Sequence, residues 1–202
     1  MPIYKEYDKA GARVFIWKIG EPESFFTEHI GLQSDKKSEL RRLEHLASRF
    51  LLQQAIPGLA LEQIMVSHLG KPYLPDNKPY FSISHSFPFV GVAVDEQKEI
   101  GIDVQTLEEK IHRLQHKFLS AEEQALCGQQ TEKITLAWAA KEAAFKRYGL
   151  GAVDFIRHMP IREMQVADRE ATLKIEFTRE QPAITLDLCG GIEADFAWSV
   201  TL

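Results

Sequence analysis

The 202-residue chain is 45% hydrophobic and 26% charged, with a formal net charge of -5. That is apolar content enough for one large domain or two compact halves, each with a core, and the acidic balance argues against a general nucleic-acid binder. No run of 18 apolar residues is present to cross a bilayer, and Met1 to Gly20 lacks the basic head, apolar stretch and cleavage site of a secretory leader, so a cytoplasmic, non-membrane protein is expected. Cys127 and Cys189 lie far apart and in no Cys-x-x-Cys pair, which suggests neither a zinc site nor a disulfide framework.

In chain order, Arg13 to Ile19 is rich in Val, Phe, Ile and Trp and predicts a strand closed by Glu21-Pro22. From Ser34 to Ile56, Leu40, Leu43, Leu46, Ala47, Phe50 and Leu51 recur at three and four, which predicts an amphipathic helix ending before Pro57-Gly58. Its polar face carries Lys36, Lys37, Arg41, Arg42 and Arg49 against Asp35, Glu39 and Glu44. Such a face is either simply solvated or a place where cations meet phosphates. Leu61 to His68 reads as a short strand and Gly70-Lys71-Pro72-Tyr73-Leu74-Pro75 as a turn. Tyr80 to Ser84 predicts a strand whose end delivers Ser84 and His85, paired in a hairpin with Phe89 to Val94.

Ile100 to Val104 predicts a short buried strand, with Gly101 permitting close backbone approach. Asp103 is the one charge in that apolar run and requires a partner once buried. Thr106 to Leu119 is expected to be partly helical, with Lys110, Arg113 and Lys117 interleaved among Leu107, Ile111, Leu114 and Phe118. Ser120-Ala121-Glu122-Glu123 has the form of a capping box. The Ala-rich run from about Ile134 to Tyr148, stopped by Gly149, predicts a helix. On it Glu142 and Lys146, four apart, share a face, with Trp138 one turn earlier. Beyond it, Arg157 to Val166, Ala171 to Thr178, Ala183 to Leu188 and Glu193 to Thr201 read as strands, separated by turn residues such as Asp168-Arg169 and Gly190-Gly191.

Four motifs therefore follow in order: Gly70-Lys71-Pro72; Phe81-Ser82-Ile83-Ser84-His85-Ser86; Gly101-Ile102-Asp103-Val104-Gln105; and Trp138-Ala139-Ala140-Lys141-Glu142-Ala143-Ala144-Phe145-Lys146. Over Gly70 to Gly149 this combination resembles the Sfp-type 4'-phosphopantetheinyl transferases, which move the phosphopantetheine arm of coenzyme A onto a serine of a carrier protein.

The resemblance implies an α+β fold of two pseudo-symmetric halves, each a small sheet packed on a long helix, here residues 1–79 and 80–202, in a monomer. It implies catalytic Asp103, Glu142 and Lys146, and Mg²⁺ held by Asp103 and Glu142 with Gln105. Coenzyme A contacts are implied for Lys71, Ser84, His85 and Lys146, with Arg41, Arg42 and Arg49 as candidates for its 3'-phosphate; Lys141 is a second cation available to offset phosphate charge, although only Lys146 matches the family's phosphate-binding lysine. Arg113 and Lys117 would meet an acidic acyl or peptidyl carrier protein. Many members carry Glu where this chain has Gln105; an amide oxygen can still face a cation but cannot act as a base. The alternative that substitution raises is a catalytically impaired protein that only binds coenzyme A or a carrier.

Overall fold

The computed structural model describes residues 4–76, 78–149 and 151–202, and the fold is α+β. The first sheet has the order β1 (Lys5–Lys9), β2 (Ala12–Lys18), β6 (Phe89–Asp95), β5 (Tyr80–Ser86), all antiparallel. Helices α1 (Glu23–Ile30) and α2 (Glu39–Ala55) accompany it, and β3 (Met65–Val66) with β4 (Pro72–Tyr73) forms a separate two-residue ladder. The second sheet has the order β7 (Ile102–Thr106), β11 (Phe196–Thr201), β10 (Ile184–Ile192), β9 (Glu170–Phe177), β8 (Ile161–Ala167), also antiparallel. Between β7 and β8 the chain forms α3 (Ile111–Leu114), α4 (Ala121–Cys127), α5 (Thr131–Tyr148) and α6 (Phe155–His158).

Every residue of β6 is buried, because both of its faces are covered. Val90, Val92 and Val94 pack with Leu46, Leu51 and Leu52 of α2, while Phe89 and Ala93 pack with Ile102 and Val104 of the second sheet and with Phe196. The period of two in a strand separates these rows. Gly91 belongs to the second row, where an added Cβ would stand 2.5 Å from Val104 Cγ2. Helix α5 covers the second sheet with small residues, Ala137, Ala140, Ala143 and Ala144, all fully buried. The resulting closeness is greatest at Gly101, where a Cβ would lie 1.9 Å from the Ala143 carbonyl oxygen. The backbone approach expected at Gly101 is therefore a contact with the helix that carries Glu142.

Several boundaries differ from expectation. The amphipathic helix begins at Glu39, α1 is a separate helix before it, and Leu61 to His68 reduces to a short 3-10 turn and the two residues of β3. Residues 155–158 form a helical turn, so that strand starts at Ile161. Gly190-Gly191 is no turn: β10 runs through both, and a Cβ there would strike the Trp198 carbonyl oxygen (2.3 Å) or indole nitrogen (2.6 Å) of the neighbouring strand. Glycine inside a strand marks such close approach. A division at residues 79/80 does not follow the sheets either, because Tyr80–Asp95 supplies β5 and β6 to the first of them. Among the described residues no helix is long and apolar enough to cross a membrane.

Candidate active site at the seam of the two sheets

β5 ends the first sheet and β7 begins the second, and the two strands lie side by side. Asp103, on β7, is 2% exposed. Its Oδ1 accepts from Lys146 Nζ (2.6 Å) and Ser84 Oγ (2.7 Å), and its Oδ2 accepts from Gln105 Nε2 (2.8 Å). The buried charge thus has the partner it requires, from a helix, from the neighbouring strand and from its own strand two residues on. Lys146 and Glu142 come from the face of α5 turned to β7, one turn apart. Burial first, and the nearby Asp103 second, push the Glu142 carboxyl up to about 7, with Lys146 pulling the other way. Asp103, Glu142, Lys146, Gln105 and Ser84 form one cluster.

Of the other expected residues, Lys71 lies close to this group. Its ammonium donates to Glu99 (2.6 Å) and to the Arg147 carbonyl (2.9 Å), and its stem crosses Gly149, the left-handed cap of α5. There a cleft of about 280 Å³ opens, lined by Lys71, Phe81, Phe145, Lys146 and Gly149. His85 alternates to the other face of β5 from Ser84, its Nδ1 3.3 Å from Glu44 Oε2 of α2. Arg49 is half-buried on α2, and burial lowers its pKa. Beside it is His45, which sequence reasoning passed over. Burial, then Arg49, Lys36 and His85, hold its imidazole below the ordinary value, so these basic groups share one neighbourhood. The signal was present in the spacing, since His45 and Arg49 are four apart on one helix.

Three expectations change. Ser84 is 4% exposed and its hydroxyl both donates to Asp103 and accepts from Val104 N–H (3.2 Å), so it holds the carboxylate and is not open to a phosphate. Arg42 is engaged by Glu23 of α1 (3.1 Å to each oxygen) and by the carbonyls of Lys36 and Lys37, leaving Arg41 as the exposed arginine of that turn. Lys141 is fully buried, with its three donors on Glu123 (2.6 Å) and the carbonyls of Phe118 (2.8 Å) and Phe155 (2.9 Å). Burial lowers its pKa, opposed by Glu123. Glu123 does complete the capping box with Ser120, and accepts from Ile161 N–H as well.

On the far side of Gln105 a larger cavity of about 890 Å³ is walled by Ile111, Leu114, Phe118, Trp138 and Phe155. Trp138 stands between the rings of Phe118 (4.6 Å between centroids) and Phe155 (5.5 Å). Lys110 and Lys117 stand at this cavity, and Arg113 is exposed on the same short helical segment. Asp103 and Glu142 supply two carboxylates, and Gln105 an amide, beside one ammonium. Hard oxygen donors of this kind suit a small divalent cation, and a cation would relieve the repulsion that raises Glu142. Among the described residues no group of three or more His, Cys, Asp or Glu side chains could hold a metal, so phosphate and water oxygens would have to complete such a shell.

Residues 99–200 match the family model of the 4'-phosphopantetheinyl transferase superfamily. A Haemophilus influenzae protein provisionally named as a 4'-phosphopantetheinyl transferase is 30% identical over 158 residues, 73% of this chain and 67% of that protein. A Synechocystis protein with the same provisional name is 32% identical over 52% of this chain and 48% of its own. The Escherichia coli O157:H7 4'-phosphopantetheinyl transferase AcpT is 28% identical over 59% of this chain and 64% of its own. The chain belongs to the 4'-phosphopantetheinyl transferase superfamily.

Proposed function

We propose that this chain transfers the 4'-phosphopantetheine arm of coenzyme A to a serine of an apo carrier protein, releasing adenosine 3',5'-bisphosphate. The observation that carries this reading is the Asp103, Glu142 and Lys146 cluster, set between a small cleft at Lys71 and a large apolar cavity at Trp138. The nucleotide end of coenzyme A takes the Lys71 side, with its 3'-phosphate toward Arg49, His45, His85 and Arg41. The uncharged arm takes the Trp138 side, and the pyrophosphate lies between them at Lys146. Attack by the serine oxygen forms a bond to the phosphorus bearing the arm and breaks that phosphorus's bond to the bridging oxygen, so the bisphosphate leaves with the electron pair. The serine proton goes to Glu142, the carboxylate of the cluster that stands one helical turn from the phosphate-binding Lys146 and acts as general base.

Mg²⁺ would be held by Asp103 and Glu142 with the Gln105 amide, and when bound would offset charge on the phosphate oxygens. Lys146 binds and orients the phosphate, and the apolar walls of the larger cavity exclude water. Lys110, Arg113 and Lys117 face an acidic carrier protein, steering its approach. The two sheet-and-helix units are read as pseudo-symmetric halves of a cytoplasmic monomer, with their boundary between Asp95 and Ile102. Within that assignment, holo-acyl-carrier-protein synthase activity is the subtype proposed.

The test is the intact mass of an apo acyl carrier protein incubated with this chain, coenzyme A and Mg²⁺. A gain of one phosphopantetheine group, abolished by chelator, is expected. Absence of any gain on several carriers, with coenzyme A still bound, would instead favour a binding protein. The observation behind that rival is Gln105, whose amide nitrogen already faces Asp103.

A further inference from the structure

β7 pairs on one side with β11, and on its other side no backbone strand accepts from it among the described residues. Its outward N–H groups belong to Ile102, Val104 and Thr106, every second residue, and left unpaired in this core they would be costly. Their acceptors are side chains. Ile102 N–H donates to Ser82 Oγ (3.2 Å), Val104 N–H to Ser84 Oγ (3.2 Å) and Thr106 N–H to Ser86 Oγ (3.1 Å). Serines two apart on β5 share a face, so a Ser-x-Ser-x-Ser strand presents three hydroxyls at the spacing of a strand's own acceptors. They stand in for the carbonyls of a neighbouring strand and stitch the sheets edge to edge.

Each hydroxyl that accepts in this way keeps one proton to donate. Ser86 shares its hydrogen bond with Thr106 Oγ1 (2.9 Å), whereas Ser84 donates to Asp103 Oδ1 (2.7 Å). Of the three, only Ser84 joins the seam to the acidic centre. Because Val104 N–H fixes the hydroxyl's oxygen, its hydrogen bond aims at one carboxylate oxygen from a backbone-anchored position. Lys146, on a mobile four-carbon stem, supplies charge to that oxygen but no comparable anchor.

We propose that Ser84 is a positioning residue of the Asp103–Glu142 centre: anchored by Val104 N–H, it orients the Asp103 carboxylate, and through it the first sheet sets the geometry of an acid carried by the second. This rests on the transferase reading. Ser82 makes the same backbone bond without touching Asp103, and so separates positioning from mere seam strength.

The experiment compares Ser84→Ala and Ser82→Ala in the full chain, measuring thermal midpoint, Mg²⁺ affinity by calorimetry with coenzyme A present, and kcat and KM for carrier modification. Both variants should lower the midpoint, Ser84→Ala the more, because it also removes the bond to buried Asp103. Ser84→Ala alone should weaken Mg²⁺ binding about tenfold or more, since losing an outer partner of a metal ligand has that effect. It should lower kcat in step, with KM for coenzyme A within about twofold of the parent. Equal Mg²⁺ affinity and equal kcat in the two variants would overturn the proposal and leave the ladder as a seam only. A parent protein that neither binds Mg²⁺ nor modifies a carrier overturns the transferase reading itself. Should Ser84→Ala not fold, Ser84→Thr and Ser84→Val make the comparison at equal volume: the threonine is expected to keep Mg²⁺ affinity and the valine to lose it, and equal affinities would again overturn the proposal.

Discussion

Glu142→Gln should stabilise the metal-free protein while abolishing transfer, and the gain should depend on pH. In the unfolded chain this carboxyl ionises near 4.5, and in the folded chain near 7. Below that window both states hold the proton and no penalty exists. As pH rises through it, the unfolded chain sheds a proton that the folded chain keeps, so wild-type stability falls. The full gap corresponds to about 3 kcal/mol at about 1.4 kcal/mol per pH unit, and water at the partly exposed edge of the group trims this to about 2 kcal/mol. Glutamine has no charge to bury and escapes the loss. Urea unfolding in chelator, at pH 5 and pH 8, measures it: the variant's advantage should grow by about 1.3 kcal/mol between the two, since at pH 5, just above the unfolded value, part of the loss is already present. Added Mg²⁺ should then raise wild-type stability more than the variant's, because the cation binds the folded state through the carboxylate. An advantage that is the same at both pH values, or a variant less stable at pH 8, would refute the account of Glu142 as a carboxyl strained by burial and by Asp103.

Asp103→Asn should lower carrier modification by at least about a hundredfold while the circular dichroism spectrum stays native, since the amide keeps the volume but not the charge that Lys146 meets. Lys141→Met should cost about 3–5 kcal/mol in urea unfolding by leaving Glu123 buried without its cation, and pairing it with Glu123→Gln should recover much of that. Arg49→Ala should raise KM for coenzyme A about tenfold with little change in stability, whereas Arg42→Ala should lower stability by about 1 kcal/mol through its Glu23 pair and leave KM near the parent value. Gly101→Ala should cost about 3 kcal/mol or more, because the methyl would have to displace the backbone of α5 at Ala143.

Much of the site was legible in local pattern. Helical spacing places Glu142 and Lys146 together whatever the rest of the chain does, and a lone Asp103 in an apolar strand announces a buried charge that must find partners. Gly101 signalled close approach, and Ser120 to Glu123 signalled a capping box, because those features depend on the nearest few residues. The hairpin of Tyr80–Ser86 with Phe89–Asp95 is local in the same sense.

What no local pattern holds is which side chain a distant element will take as partner. Lys141 and Lys146 are both lysines of one motif, yet α5 turns the first inward to Glu123 and the second to Asp103, a matter of how the helix lies on the sheet. Arg42 and Arg49 share a basic helix, and only the packing of α1 engages the former with Glu23. Gly190-Gly191 reads as a turn until Trp198 is seen against it. Periodicity and burial along short stretches of chain are enough to place the long helix, the face bearing Glu142 and Lys146, the Tyr80–Asp95 hairpin and the need of Asp103 for company. That the three serines of β5 serve as acceptors for β7, and that one of them holds Asp103, follows from the assembled fold alone, because the bond joins two strands from different sheets whose edges meet only when both are folded.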